Sequence, residues 1–330
     1  MSGSDFIFSN ARVKAKEVKL LNDSQIARLS EQESLEDAFK LLNEYGYGLG
    51  CDNLDFDTMF VNAEKELGKE FTELVVPESG LEAFLVEHDY HNLKALLKLK
   101  YSGQLLKDKK DEENSELYMT EGKYSLDVLT NAVAAGDVNS LSENMAKAVK
   151  TLESSETVTP HIIDVVCDKA MFAETVSVAK AGRRKELIKY FTSSIDIANI
   201  SSFLRTKRAD LDLKFFTEGF IGSGTLDKDF FTSAFEQSFE AFAEKMKFTP
   251  YGALVSVFVS EGLARFEAEC DNFKLDFFKK ERREMFSAAP IAGYYLGKLT
   301  ELKTLKLLVA KIKNKVDDDL IKQRMRGLYA

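Results

Sequence analysis

Apolar residues recur at steps of three and four along most of the chain, and this spacing predicts helices. In LKTLKLLVAKI they form one helical stripe made of Leu302, Leu305, Leu308, Val309 and Ile312. Alternating runs typical of strands are short, as in VSVFVS at 255–260. The pattern therefore predicts an all-α protein whose core includes Leu93, Leu96, Ile200 and Leu305.

One helical stretch recurs along the chain. DYHNLKALLKLK at 89–100 and DIANISSFLRTK at 196–207 both begin with Asp, have Asn three residues later, and end on a basic residue. ELKTLKLLVAKIK at 301–313 is a weaker copy, and the anchor positions are Asn10, Asn92, Asn199 and Thr304. Solenoid repeats have periods of roughly 20–50 residues, which is shorter than the separation between successive anchor positions in this chain. We expect three similar helical modules around a common axis.

The module boundaries are expected near 1–112, 113–218 and 219–330, with the C-terminal helices returning next to the N-terminus. After each recurring helix comes a second start signal, at Ser34, Ser125 and Thr225, where a hydroxyl can cap a helix. Gly122 and Gly222 stand four residues before the Leu of the second and third signals. In the last copy, DDD at 317–319 has the same role. The stretch 106–122 is expected to be a mobile polar loop.

Composition favours a helical protein with oriented charge. The chain has 330 residues, of which 45% are apolar and 30% charged, and only four are proline. The net charge of −9 argues against a nucleic-acid binder. From Asp23 to Asp89 there are 17 acidic and 4 basic residues, whereas from Lys274 onward there are 14 basic and 7 acidic. This asymmetry suggests oriented contacts with other molecules, although solvated helix faces would explain it too.

Few motifs in the sequence indicate a cellular location or a catalytic function. No run of 18 apolar residues predicts a membrane span, and the first residues do not resemble a secretory signal. Three scattered cysteines fit free thiols in a reducing compartment. His88 and His91 lack a convincing third metal ligand, and neither a P-loop nor a GxSxG elbow occurs. We expect no catalytic residue, metal, cofactor or small-molecule substrate.

Two alternatives remain open at this point. One is a helical scaffold or adaptor, and the other is a helical enzyme that uses the three aspartates at 317–319 as a metal site.

Four stretches resemble one family over essentially the whole chain. The opening NARVKAKEVKLLNDSQIARL and the closing ELKTLKLLVAKIKNKVDDDLIKQRMRGLY are similar to the two ends of the C subunit of V/A-type rotary ATPases, called the d subunit in eukaryotes. YHNLKALLKLK and IDIANISSFLRTKRADLDLKFFTEGFIGSGTLDKDFF resemble its middle segments. The last copy departs from the family pattern, because Thr304 and Lys306 stand where Asn and Arg are expected.

The resemblance implies a fold and a role. Members are all-helical funnels of three similar domains around a pseudo-threefold axis, peripheral to the cytoplasmic face of the membrane. They are non-catalytic rotor components that join the D and F subunits of the central stalk to the proteolipid (c/K) ring, in complexes that couple ATP to H+ or Na+ transport. The membrane stator, the a/I subunit, is a further candidate partner. In this chain, basic residues of the recurring helices are expected near intersubunit surfaces: Lys94, Lys98, Lys100, Arg205 and Lys207.

Overall fold

The computed structural model describes residues 3–48, 50–103, 118–119 and 121–329, and all regular elements within these ranges are helices. This confirms the all-α prediction. The α-helices are α1 Ile7–Glu17, α2 Asp23–Ser30, α3 Leu35–Glu44, α4 Phe56–Leu74, α5 Val86–Tyr101, α6 Leu126–Ala135, α7 Glu143–Glu153, α8 Pro160–Ala181, α9 Lys185–Arg208, α10 Leu213–Gly219, α11 Lys228–Thr232, α12 Phe239–Met246, α13 Gly252–Glu261, α14 Leu263–Lys279, α15 Ala289–Asn314 and α16 Asp318–Lys322. Short 3₁₀ helices span Gly3–Phe6 and Leu81–Phe84.

The run VSVFVS, which alternates like a strand, belongs to helix α13. Within it, Val255 and Phe258 are buried three residues apart, as on one face of a helix. Most of the expected polar loop at 106–122 lies outside the described residues. None of the described helices is long and apolar enough to cross a membrane.

Side-chain caps define many of the helix starts. The hydroxyls of Ser34 and Ser125 accept hydrogen bonds from the third backbone N–H of α3 and α6, as the sequence predicts. Asn22 forms a reciprocal capping box with Gln25 at the start of α2. Asp317 caps α16 by accepting from the N–H of Asp319. The starts of these helices are therefore encoded locally, by residues within one turn.

The chain forms two compact units. One combines Met1–Val76 with Gln237–Ala330, and the other is continuous from Pro77 to Glu236. The division into modules at 1–112, 113–218 and 219–330, and their pseudo-threefold arrangement, stay predictions.

Helix α15 is the centre of the first unit. It packs against α1, α2, α3, α4 and α14, and its predicted stripe from Leu302 to Ile312 is buried. The ring of Phe71 on α4 stacks on Tyr295, with centroids 4.1 Å apart. Helix α15 therefore contacts both early and late helices of the chain within this unit.

Tyr329 lies against α15 at two glycines. A Cβ on Gly293 would come within 2.5 Å of the Tyr329 hydroxyl, and one on Gly297 would come equally close to the Tyr329 Cβ. Any larger residue at either position would therefore displace the Tyr329 side chain, which is buried.

The second unit is built on α8. Helices α5, α7 and α9 pack against it, and its core includes Leu93, Leu96 and Cys167, all buried. At the far end of α9, Phe203, Phe216 and Phe231 bury their rings in a cluster with centroids 5.4–5.6 Å apart. Burial of Leu93, Leu96 and Ile200 in this unit, and of Leu305 in the other, confirms the predicted core positions.

Candidate functional site

The recurring stretch lies on three long helices, α5, α9 and α15, and its polar positions are buried. None of them is more than 3% exposed: Asp89, Asn92, Asp196, Asn199, Glu301 and Thr304. Buried polar groups must be hydrogen-bonded to avoid a large desolvation penalty. The repeat therefore encodes polar contacts inside the protein, and their partners define what it does.

On α5, the Asp89 carboxylate accepts hydrogen bonds from two backbone N–H groups in the loop before α6. The donors are Lys123 at 3.1 Å and Tyr124 at 3.0 Å. A Cβ on Gly122 would lie only 2.2 Å from the Asp89 Oδ1 atom. Glycine therefore lets the loop approach this carboxylate closely.

On α9, Asp196 makes the same contact with the loop before α11. Its Oδ1 atom accepts from the N–H of Thr225 at 2.8 Å and of Leu226 at 3.0 Å, and its Oδ2 atom accepts from the Thr225 hydroxyl. Here Gly224 allows the approach, since a Cβ there would lie 2.3 Å from Asp196 Oδ1.

On α15, Glu301 accepts from the N–H of Leu21 at 2.7 Å, directly before the cap of α2. Tyr47 and Lys298 also donate to this carboxylate. In all three helices, the carboxylate thus accepts from the residue that precedes the N-cap of another helix. We call this arrangement of Asp89, Asp196 and Glu301 with their backbone donors the carboxylate clasp.

Asparagine makes a second contact one turn further along α5 and α9. Asn92 pairs with both the N–H and the C=O of Met119, each at 2.8 Å. Asn199 pairs in the same way with Ile221, at 2.8 and 2.9 Å. Each loop is therefore held at two points, by a carboxylate and by an amide.

The other two anchor positions differ. On α1, the Asn10 amide donates to the carbonyls of Met285 and Ser287, at 2.9 and 3.0 Å. Thr304 donates to Thr300 within its own helix. The departure from Asn at 304 therefore removes the amide contact from the third copy, while the Glu301 clasp remains.

One expectation about the third start signal is wrong. Thr225 does not cap a helix, because its hydroxyl donates to Asp196. The N-cap of α11 is Asp227, which accepts from the N–H of Phe230. The counterpart of Gly122 is consequently Gly224 rather than Gly222, which has no atom within 4 Å of an added Cβ.

Three of the basic residues expected at intersubunit surfaces form ion pairs within the chain. Lys94 and Lys98 pair with Asp168 and Asp164 of α8, at 2.8 and 2.7 Å, and Lys100 pairs with Glu153 of α7 at 3.1 Å. Burial lowers the pKa of Lys94, but its hydrogen bond to Asp168 and the other nearby acids together outweigh burial, so the net pKa is raised. These charges join α5 to its neighbours.

The remaining two lie on α9. Lys207 donates to the carbonyl of Phe235, and its ammonium lies 5.8 Å and 5.1 Å from the ring centroids of Phe203 and Phe235. Arg205 is exposed. The five basic residues therefore form two groups, on α5 and α9, and their place at intersubunit surfaces stays a prediction.

The three aspartates at 317–319 are exposed at the start of α16. Asp318 pairs with Lys311 at 2.6 Å and Asp319 with Lys322 at 2.9 Å. Within the described ranges, no group of three or more His, Cys, Asp or Glu is placed to hold a metal. The aspartates do not converge on a pocket, so the metal-enzyme alternative loses the geometry it requires.

Sequence reasoning missed the role of the recurring acids. Their signal was present, since Asp recurs three residues before Asn on α5 and α9. Asp196 stands between Ile195 and Ile197, and an acid among core residues of a helix is buried and needs donors. The glycines ahead of the next helix were the clue to where those donors lie.

Comparison with known proteins gives the same family for nearly the whole chain. Residues 9–324 match the family described as ATP synthase (C/AC39) subunit. The C subunit of the V-type sodium ATPase of Enterococcus hirae is 23% identical over 97% of this chain and 98% of that protein. The C subunit of the A-type ATP synthase of Methanosphaera stadtmanae is 25% identical, over 92% of this chain and 83% of its own.

A third relative is the C subunit of the A-type ATP synthase of Methanocaldococcus jannaschii, which is 24% identical over 94% of this chain and 83% of its own. Matches of this extent exclude a helical adaptor unrelated to rotary ATPases. The chain belongs to the ATP synthase (C/AC39) subunit family, the C subunits of V- and A-type ATPases.

Proposed function

We propose that this chain is a non-catalytic subunit of the central stalk of a rotary ATPase. In this role it connects the shaft, formed by the D and F subunits, to the proteolipid ring on the cytoplasmic face of the membrane. The observation that carries the proposal is the family match over residues 9–324, with relatives that are named as C subunits of both V-type and A-type enzymes. Ion transport then follows from the complex as a whole.

The clasps support a mechanical role. A part that transmits torque must not yield where its helices connect, and hydrogen bonds to a buried charged group are among the stronger ones in proteins. Asp89 and Asp196 each fix a loop to a long helix through two backbone donors. The long helices and the loops between them would thus move together under load.

Mixing the purified chain with purified D–F shaft on a sizing column tests the proposal. A one-to-one complex is expected at low salt, and high salt is expected to weaken it because screened charges contribute to the interface. Repeating the run with detergent-solubilised ring tests the second contact. Binding to neither partner, alone or together, would contradict the proposal.

Arg205 is the basic position we propose for a direct contact with a partner in the complex, since it is exposed. Arg205→Glu is expected to weaken binding to the shaft or the ring about tenfold, in a salt-dependent way. Lys180→Glu is the matched control, because Lys180 is also exposed, on α8. Equal binding by both variants would remove Arg205 from the interface.

A further inference from the structure

A cleft of about 700 Å³ in the unit formed by 1–76 and 237–330 is lined mainly by cations. Its lining residues are Lys14, Glu17, Lys279, Lys280, Arg282 and Arg283. The chain as a whole is negative, so this concentration of positive charge is local. A local positive cleft on a negative protein points to a negatively charged ligand.

The segment 279–287 runs along one face of α1. Lys14 donates to the carbonyl of Arg282 at 2.6 Å, and Asn10 donates to the carbonyls of Met285 and Ser287. Ile7 lies one turn before Asn10 on the same helical face. The basic cleft and the residues around 286 therefore form one continuous surface with the start of α1, which we call the 279–287 surface.

Two of the lining cations are not held in ion pairs within the described residues. Glu17 is buried and pairs with Lys14 at 2.8 Å and Arg282 at 3.4 Å. In contrast, Lys280 and Arg283 are exposed and have no ion-pair partner in the described part of the chain.

The exposed acids of the same segment lie outside the lining of the cleft. Glu281 and Glu284 are exposed on the same segment, but neither lines the cleft. Lys280 and Arg283 are therefore available to an external anion.

Apolar side chains are exposed at the other end of the same surface. Phe286 is 56% exposed and Ile7 is 41% exposed. A phosphate in solution would engage the cations but would leave these two side chains in water. An anionic bilayer offers charge and apolar contact together, because its headgroups carry phosphate and aromatic side chains favour the headgroup level.

We propose that the 279–287 surface binds an anionic lipid bilayer. The phosphate of a headgroup lies in the cleft against Lys280 and Arg283, and Phe286 and Ile7 insert at the boundary between headgroups and acyl chains. This contact goes beyond the proposed function, since binding to the D–F shaft does not require it. The two proposals can therefore fail separately.

Vesicle flotation tests the proposal, using phosphatidylcholine vesicles with and without phosphatidylglycerol at low and high salt. The wild-type chain is expected to float only with phosphatidylglycerol, and less at high salt. Lys280→Glu combined with Arg283→Glu is expected to lower the affinity at least about tenfold, because each cation near an anionic surface contributes to binding. Phe286→Ser is expected to lower it by a smaller factor.

Matched controls separate this surface from general electrostatics. Lys147→Glu with Lys150→Glu changes the net charge equally at two exposed positions three residues apart on α7. Phe248→Ser removes a side chain that is 94% exposed elsewhere in the same unit. Both controls are expected to float like the wild type.

Four results would overturn the proposal. The first is no flotation of the wild type with phosphatidylglycerol at low salt, and the second is equal loss in the charge variant and its control. The third is flotation abolished by millimolar inorganic phosphate and unaffected by Phe286→Ser, which would indicate a soluble phosphate ligand. The fourth is vesicle binding that survives in the charge variant while shaft or ring binding is lost, which would indicate that the surface binds an acidic protein partner. In every case, circular dichroism confirms that the variants are folded.

Discussion

Replacing Asp196 with alanine removes three hydrogen bonds from one buried carboxylate. The carboxylate accepts from the N–H groups of Thr225 and Leu226 and from the Thr225 hydroxyl, and Asp196 itself is fully buried. Hydrogen bonds to a charged group contribute about 1.5–3 kcal/mol each, and an orphaned buried donor costs about 1–3 kcal/mol. Because the loop can partly relax toward water, we expect a total loss of about 3–5 kcal/mol.

Milder variants grade the effect. Asp196→Asn keeps an oxygen at Oδ1, where both backbone donors meet, so a loss of only about 1–2 kcal/mol is expected. Thr225→Val removes only the hydroxyl contact and is expected to lose about 1 kcal/mol. Glu156→Ala removes an exposed acid and is the control, with a change within about 0.5 kcal/mol.

Hydrogen–deuterium exchange is the appropriate assay, because a chain with two compact units need not unfold in one step. In Asp196→Ala, amides at 221–227 are expected to exchange at least about a hundredfold faster, while amides at 119–125 keep their wild-type rates. If exchange at 221–227 stayed within about threefold of wild type, the clasp would not hold this loop. The asparagine variant tests the same order of effects if the alanine variant fails to fold.

Variants at three further positions test the carboxylate clasp. Gly224→Ala is expected to speed amide exchange at 221–227 by a factor that corresponds to about 2–3 kcal/mol, because its Cβ would meet the clasp carboxylate at 2.3 Å. Gly222→Ala is expected to leave exchange there unchanged, and equal effects of the two variants would refute the corrected register. Burial raises the pKa of Asp89 to about 6, against backbone hydrogen bonds that lower it. The folded state then binds the proton more tightly than the unfolded chain, so stability is expected to fall as pH rises from about 4 to about 6. Asp89→Asn is expected to flatten this dependence of the urea midpoint on pH. An unchanged slope would contradict the assignment of the raised pKa to Asp89. Glu301→Gln is expected to speed amide exchange at Leu21 without changing exchange at 221–227, and a change at both would point to global loosening.

Helix content and core positions followed directly from the sequence. The stripe around Leu305 is buried because its spacing matches the helical turn, and the cap at Ser34 depends only on the residues of the next turn. Local patterns of this kind need no knowledge of distant partners. They were sufficient for the fold class and for the starts of α3, α6 and α16.

The error at Thr225 arose because its side chain had two competing partners. Thr225 is of a residue type that often caps helices, but its hydroxyl donates a hydrogen bond to a carboxylate 29 residues earlier in the chain. Spacing alone could not reveal this, because the competing acceptor is brought there by the tertiary fold. Spacing alone also could not reveal the ion pairs of α5, because the acids that pair with Lys94 and Lys98 lie on α8.

The clasp between Glu301 and Leu21 has a consequence for synthesis. It joins residues 280 positions apart, within a unit assembled from both ends of the chain. On the ribosome, the segment Pro77–Glu236 is continuous and can fold as soon as it emerges. The N-terminal helices must wait until α15 has been translated before their buried faces are covered. Nascent chains stalled before 301 should therefore expose the early helices to chaperones and proteases, while their central segment is already resistant.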